Sequence, residues 1–155
     1  MKINLIFFLS RFGVGGAGNS IFRLCKGLPK KKFNISIICL KNCSFDKEFK
    51  KIGIKVYKIK SNKTFFAMSK VLNITKFLIS KKYKKNIFMS NIHYANVLSL
   101  IFLRNLNNLK IVLVERTPLM ELSIYFGFID FIKKNIIKLL IYLLYNLSDV
   151  IVCNS

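Results

Sequence analysis

The 155-residue sequence predicts an α/β fold: a parallel sheet of about six strands flanked by helices. Three observations lead there. Short apolar runs rich in β-branched residues alternate with longer stretches of helical periodicity. The connections between the runs are too long for hairpins, so successive strands lie parallel with crossovers between them. The first run is apolar at nearly every position, as a strand covered on both faces is.

Each element follows in order. Ile3–Leu9 (INLIFFL) is the first strand, and a glycine-rich turn, Gly13–Gly18, follows it. Asn19–Leu28 sets Ile21, Leu24, Cys25 and Leu28 at helical spacing before Pro29 breaks the pattern. Asn34–Leu40 (NISIICL) is the second strand. Phe45–Ile52 is a short amphipathic helix with Gly53 as its cap. Ile54–Ile59 (IKVYKI) alternates, with its lysines on the solvent side. A long helix is expected from about Phe65 to Tyr83, then a fourth strand at Asn86–Ser90 and an exit loop at Asn91–Tyr94. Ala95–Leu103 is an apolar helix and Lys110–Val114 the fifth strand. One or two helices occupy Leu119–Leu147, and Asp149–Cys153 is the sixth strand. The chain stops soon after that strand, where a closing helix is expected, which suggests a truncated reading frame.

Composition narrows the function. A hydrophobic content of 53% and a charged content of 21% exclude a disordered or collagen-like chain. The net charge of +21 comes from 23 Lys and 4 Arg against six acids. Lys, Ile, Asn and Phe all use A/T-rich codons, so compositional drift explains this basicity as readily as an anionic partner does. Nucleic-acid readers favour Arg for bidentate contacts, and the scattered lysines form no recognisable binding motif, so no specific nucleic acid is expected. The cysteines Cys25, Cys39, Cys43 and Cys153 lack CxxC spacing, and His93 is the single imidazole. Reduced thiols and no metal site follow. Six acids and one His supply neither a hydrolytic triad nor a convincing carboxylate pair.

The segment Gly13-Val14-Gly15-Gly16-Ala17-Gly18 fits G-x-G-x-x-G between a strand and a helix, a setting suited to an anion. A dinucleotide is disfavoured on two counts. Leu9 to Phe12 delay the first glycine, and Lys41-Asn42 stands where an acid would hold the ribose. A tight turn without a ligand is the plain alternative.

The delayed loop carries a resemblance. MKINLIFFLSRFGVGGAGNSIFRL resembles the opening of the amino-terminal domain of family 4 glycosyltransferases. SNIHYANVLS resembles that family's His-containing segment after the fourth strand. KIVLVERTP resembles its fifth strand with a Glu-Arg ending, and LSDVIVCNS resembles the strand leading to its second domain. The resemblance covers residues 1–155. It implies one half of a GT-B enzyme, a Rossmann-like acceptor-side domain whose carboxyl-terminal donor domain, with its Glu-x7-Glu motif, is absent. The implied activity is nucleotide-sugar-dependent transfer of the retaining kind in cell-envelope glycan or glycolipid synthesis, with the fragment itself inactive. A UDP- or GDP-sugar would be the donor substrate, with no resident cofactor, and a sugar or lipid-linked glycan the acceptor. The first loop departs from the family by carrying Gly18 where many members have Glu. The fifth strand ends in Glu115-Arg116 where many have His.

The site residues follow. Gly15, Gly16 and Gly18 form the substrate or diphosphate loop, with backbone N–H groups facing negative charge. His93, Glu115 and Arg116 are the acceptor-side candidates. His93 follows a strand, in the crevice where parallel sheets bind ligands; a loop-bridging His is the alternative. Arg116 suits a phosphate, and a Glu115–Arg116 ion pair on the rim is the alternative for those two. No residue is assigned a catalytic role. The competing function is a non-catalytic Rossmann-like nucleotide-binding domain, or a basic domain for nucleic acid or membrane.

Leu119–Leu147 bears on localisation, expected to be cytoplasmic and peripheral on the inner face of the membrane. No uncharged stretch reaches the roughly 18–20 residues of a spanning helix. The segment reads either as a fully buried helix covering the sheet or as a helix in the headgroup plane. In the second reading its apolar side dips in, and Lys133, Lys134 and Lys138 sit on anionic lipid.

Overall fold

The computed structural model describes residues 1–10, 16–40, 45–80, 82–116 and 118–153. Its centre is β1 (Ile3–Leu9), whose residues after Ile3 are all buried. On one side lie β2 (Phe33–Leu40) and β3 (Lys55–Ile59); on the other lie β4 (Lys85–Asn91), β5 (Lys110–Glu115) and β6 (Val150–Cys153). All neighbours pair in parallel, in the order β3-β2-β1-β4-β5-β6. This is the doubly wound, Rossmann-like arrangement, and its strand order reverses between β1 and β4.

Alternation along the strands divides the core in two. On one face Ile6, Phe8, Ile38, Phe88 and Leu113 pack beneath α3 (Thr64–Leu78) and α4 (His93–Leu103). On the other, Leu5, Phe7, Leu9, Ile37 and Cys39 pack beneath α1 (Gly16–Gly27) and α2 (Asp46–Lys51). Each fully buried Phe contributes about 1.5–3 kcal/mol relative to exposure, so Phe7 and Phe8 tie β1 to both layers. Burial without a charge partner pushes the Cys25 thiol up to about 12, which leaves it an inert core residue. Gly53 closes α2 at φ +74°, a left-handed geometry a side chain resists, and donates its N–H to Lys50 O at 2.9 Å.

Three asparagines, Asn4 and Asn86 buried and Asn34 half-buried, cross the amino end of the sheet. Asn4 is opposite Asn34 on β2 and Asn86 on β4. Asn34 Nδ2 donates to Asn4 Oδ1 at 2.8 Å, and Asn4 Nδ2 donates to Asn86 Oδ1 at 3.0 Å. Asn4 Nδ2 also donates to Leu78 O at 3.0 Å, and Asn86 exchanges hydrogen bonds with the backbone of Ser80. Asn4 thus satisfies the Leu78 carbonyl, the last of α3, and Asn86 holds the chain just beyond it at Ser80, so the helix ends at Leu78 and does not run on to Tyr83.

Other expected boundaries also move. The first helix begins at Gly16, inside the glycine segment, and the fourth at His93, so His93 and Tyr94 lie in a helical first turn. Leu119–Leu147 divides into a 3₁₀ turn at Leu119–Ser123, α5 (Phe128–Leu144) and a second 3₁₀ turn at Tyr145–Leu147. A fully buried helix is excluded there: Ile137 is the one buried residue of α5. The edges of the sheet differ in character. β3 carries exposed Lys55 and Lys58, whereas β6 (VIVC) is uncharged and exposed along its whole length.

Asn4→Ala is expected to lower stability by about 1–3 kcal/mol, since it removes the partner of the half-buried Asn34 amide, of the Leu78 carbonyl and one of the two donors to Asn86 Oδ1. Urea midpoints measure this; a variant that unfolds with the wild type would show the ladder to be energetically idle.

Candidate functional site

The carboxyl ends of β1, β4 and β5 border the switch point, the crevice where open parallel sheets take ligands. β4 ends in Ser90-Asn91 and β5 in Glu115. Asn91 Nδ2 reaches across to Phe8 O on β1 at 3.3 Å, and Arg116 Nε donates to Asn91 Oδ1 at 3.0 Å. One asparagine therefore joins both sides of the switch point to the guanidinium.

Between β4 and α4 the chain turns at Ile92, with φ +77° and ψ 141°. A β-branched residue rarely adopts this conformation, which costs on the order of 1–3 kcal/mol. It persists because both backbone groups of Ile92 are held, its N–H by Val114 O at 3.2 Å and its carbonyl by the Asn96 N–H at 2.9 Å. The turn places His93 at the start of α4, facing the end of β5.

His93 is 2% exposed and Glu115 9% exposed. His93 Nδ1 lies 2.6 Å from Glu115 Oε2. Oε1 of the same carboxylate accepts from Asn96 Nδ2 at 2.7 Å and from the Tyr145 hydroxyl. Burial raises the Glu115 carboxyl, but the hydrogen bonds from His93, Tyr145 and Asn96 outweigh it and hold the group below its usual value. Tyr145 is driven the other way, by burial and then by the adjacent carboxylate, so it remains a donor. Burial also lowers the Arg116 guanidinium, which at an ordinary value above 12 remains a cation at neutral pH.

The structure thus brings together three of the expected residues, His93, Glu115 and Arg116. Glu115 is paired with His93, not with Arg116, so the rim ion pair is not what forms. Gly16 and Gly18 lie in the first turn of α1, Gly16 exposed and Gly18 buried. Gly15 lies outside the described residues, as do Arg11, Lys41 and Thr117. Asn91, Asn96 and Tyr145 were not legible as site residues. Asn91 and Asn96 stand inside the SNIHYANVLS segment at helix-start spacing from His93, a signal that was available. Tyr145 lies 30 residues from Glu115 in sequence, and only the packing of α5 on α4 brings it in.

Among the described residues no cluster of three His, Cys, Asp or Glu side chains is placed to hold a metal ion. No protein-family model and no curated protein matches the chain.

Because the folded Glu115 carboxyl titrates below the ordinary value of about 4.3, its contribution is complete above that pH and is lost as pH falls through the folded value. Glu115→Gln, which leaves His93 without its buried partner, is expected to cost about 3 kcal/mol at neutral pH. The gap to wild type, read from urea midpoints, should narrow below about pH 4. A gap that stays constant into strong acid would separate Glu115 from the acid response.

Proposed function

We propose that the chain is the acceptor-side domain of a nucleotide-sugar-dependent glycosyltransferase of the retaining kind. It would act on a sugar or lipid-linked glycan in cell-envelope glycan or glycolipid synthesis, with a UDP- or GDP-sugar bound by a separate donor domain. The observation that carries this reading is the Phe8–Asn91–Arg116 bridge across the switch point, backed by the buried His93–Glu115 pair. Fold alone would not support a function. A guanidinium oriented at the mouth of a parallel-sheet crevice does support a ligand carrying phosphate.

Roles divide by exposure. Arg116 is half-buried, with its Nε held by Asn91 at the end of β4, next to the switch point. His93 and Glu115 are enclosed and act as positioning residues. Glu115 fixes the imidazole, and with it the start of α4 and the strained Ile92 turn. The first turn of α1, with Gly16 and Gly18, adds backbone N–H groups of favourable dipole toward an anionic group.

His93, as the single imidazole, gives one isolated NMR signal with which to follow binding. Glycan phosphates and lipid-linked glycan analogues are expected to shift it. Arg116→Ala should weaken that response at least tenfold, about 1.4 kcal/mol. The chain alone should transfer no sugar from UDP- or GDP-sugars. Transfer by this chain without a partner, or an imidazole indifferent to every acceptor, overturns the reading.

A further inference from the structure

An α-helix on the surface of a globular domain turns its apolar stripe inward and its charges outward. α5 does the reverse. Its outward face consists of Phe128, Ile129, Ile132, Ile136, Leu139 and Leu143, all exposed, with Phe128 at 77% and Ile129 at 82%. Ile137, on the opposite side, is 7% exposed. The lysines flank the apolar face and fold back on the protein. Lys133 stands 4.8 Å above the Tyr94 ring, and Lys134 pairs with Asp130 at 2.7 Å. Lys138 donates to Ser123 Oγ and Tyr125 Oη, each at 3.0 Å.

The apolar surface continues beyond the helix. A groove of about 470 Å³ separates α5 from α3 and α4, walled by Phe65, Leu98 and Ile101. Phe126 precedes α5 at 87% exposure. α3, α4 and α5 run antiparallel to the strands, so Phe65, Tyr94 and Phe128 at their amino ends lie at the carboxyl end of the sheet. The apolar face therefore borders the crevice.

We infer that this face docks on an anionic phospholipid bilayer, with α5 in the plane of the headgroups. Charge selects this occupant over a second copy of the chain. α3, α4 and α5 together carry five lysines and one acid, Asp130, which is already paired with Lys134. The whole chain carries +21. Two such surfaces repel one another, whereas a negative bilayer attracts each. An apolar helix face with aromatic residues at its end and cations beside it is the pattern of an interfacial helix. Among the described residues no helix is long and apolar enough to cross a membrane, so the contact lies at the surface. Lys134 and Lys138 serve to brace α5 against the preceding turn, and the apolar side chains provide the insertion. The inference does not depend on the acceptor-side reading above.

Co-sedimentation with phosphatidylglycerol-containing vesicles, against pure phosphatidylcholine, tests it. Wild type is expected to bind the anionic vesicles and to be released by salt. A combined Phe128→Glu, Ile132→Glu and Leu139→Glu variant, altered only at exposed positions, should bind at least tenfold more weakly. Phe77→Glu, at the far end of α3, should bind as wild type does. The chain has no Trp, so Ile132→Trp supplies a single reporter whose emission should shift to the blue on anionic vesicles. Wild type that ignores anionic vesicles, a triple variant that binds undiminished, or an Ile132→Trp emission that does not move overturns the inference. So does a dimer that the triple substitution dissociates.

Discussion

The Asn34–Asn4–Asn86 ladder is the constraint on which the rest of the sheet depends. Apolar runs such as INLIFFL and NISIICL are poor at choosing a register, because a strand covered on both faces tolerates a slip by two with little loss. A buried amide does not. It finds its partners in one alignment and strands them in every other. With Asn4 level with Asn34 and Asn86, β1, β2 and β4 start together at the amino end, and β1 and β4 reach the far end at matching heights. That match lets Asn91 reach Phe8 O across the switch point. The polar network at one end of the sheet thus sets the geometry of the crevice at the other.

Glu115 organises the crevice in a comparable way. A single buried carboxylate collects an imidazole, an amide and a phenol, from α4 and from the turn after α5. Uncompensated, such a charge would be costly to bury; with three donors it becomes the point where β5, α4 and the chain after α5 are joined. Arg116 follows directly in sequence but turns to Asn91 instead. The two opposite charges at the end of β5 therefore hold different partners, Glu115 the buried His93, Asn96 and Tyr145, and Arg116 the Asn91 that spans the switch point.

The strands were legible because their signal is local. All six fall within a residue or two of where the apolar runs place them, and β1 is matched at both ends. The helix ends were not, because they depend on distant partners. α3 stops where Asn4 and Asn86 receive it, and α4 starts early because the Ile92 turn is held by Val114. In the site, His93, Glu115 and Arg116 were accessible as polar residues at strand ends. Asn96 and Tyr145 look like ordinary helical residues until Glu115 is seen between them. The segment after Pro118 left two readings open for a physical reason. Its apolar content fits burial, but α5 lies beside α4 at the margin of the sheet and leaves one face without a cover.

The contrast between the two sheet edges has a consequence for assembly. β3 is guarded by lysines, the usual defence against stray pairing, while β6 presents Val150, Ile151 and Val152 with no charge among them. A contact between β6 of one copy and β3 of the next would be head-to-tail and could repeat without limit, and the β3 lysines oppose it. A contact of β6 with another β6 is related by a two-fold axis and uses up both open edges at once. The two edges therefore differ in what they would admit: the uncharged β6 offers no repulsion to a further strand, while Lys55 and Lys58 stand against one at β3.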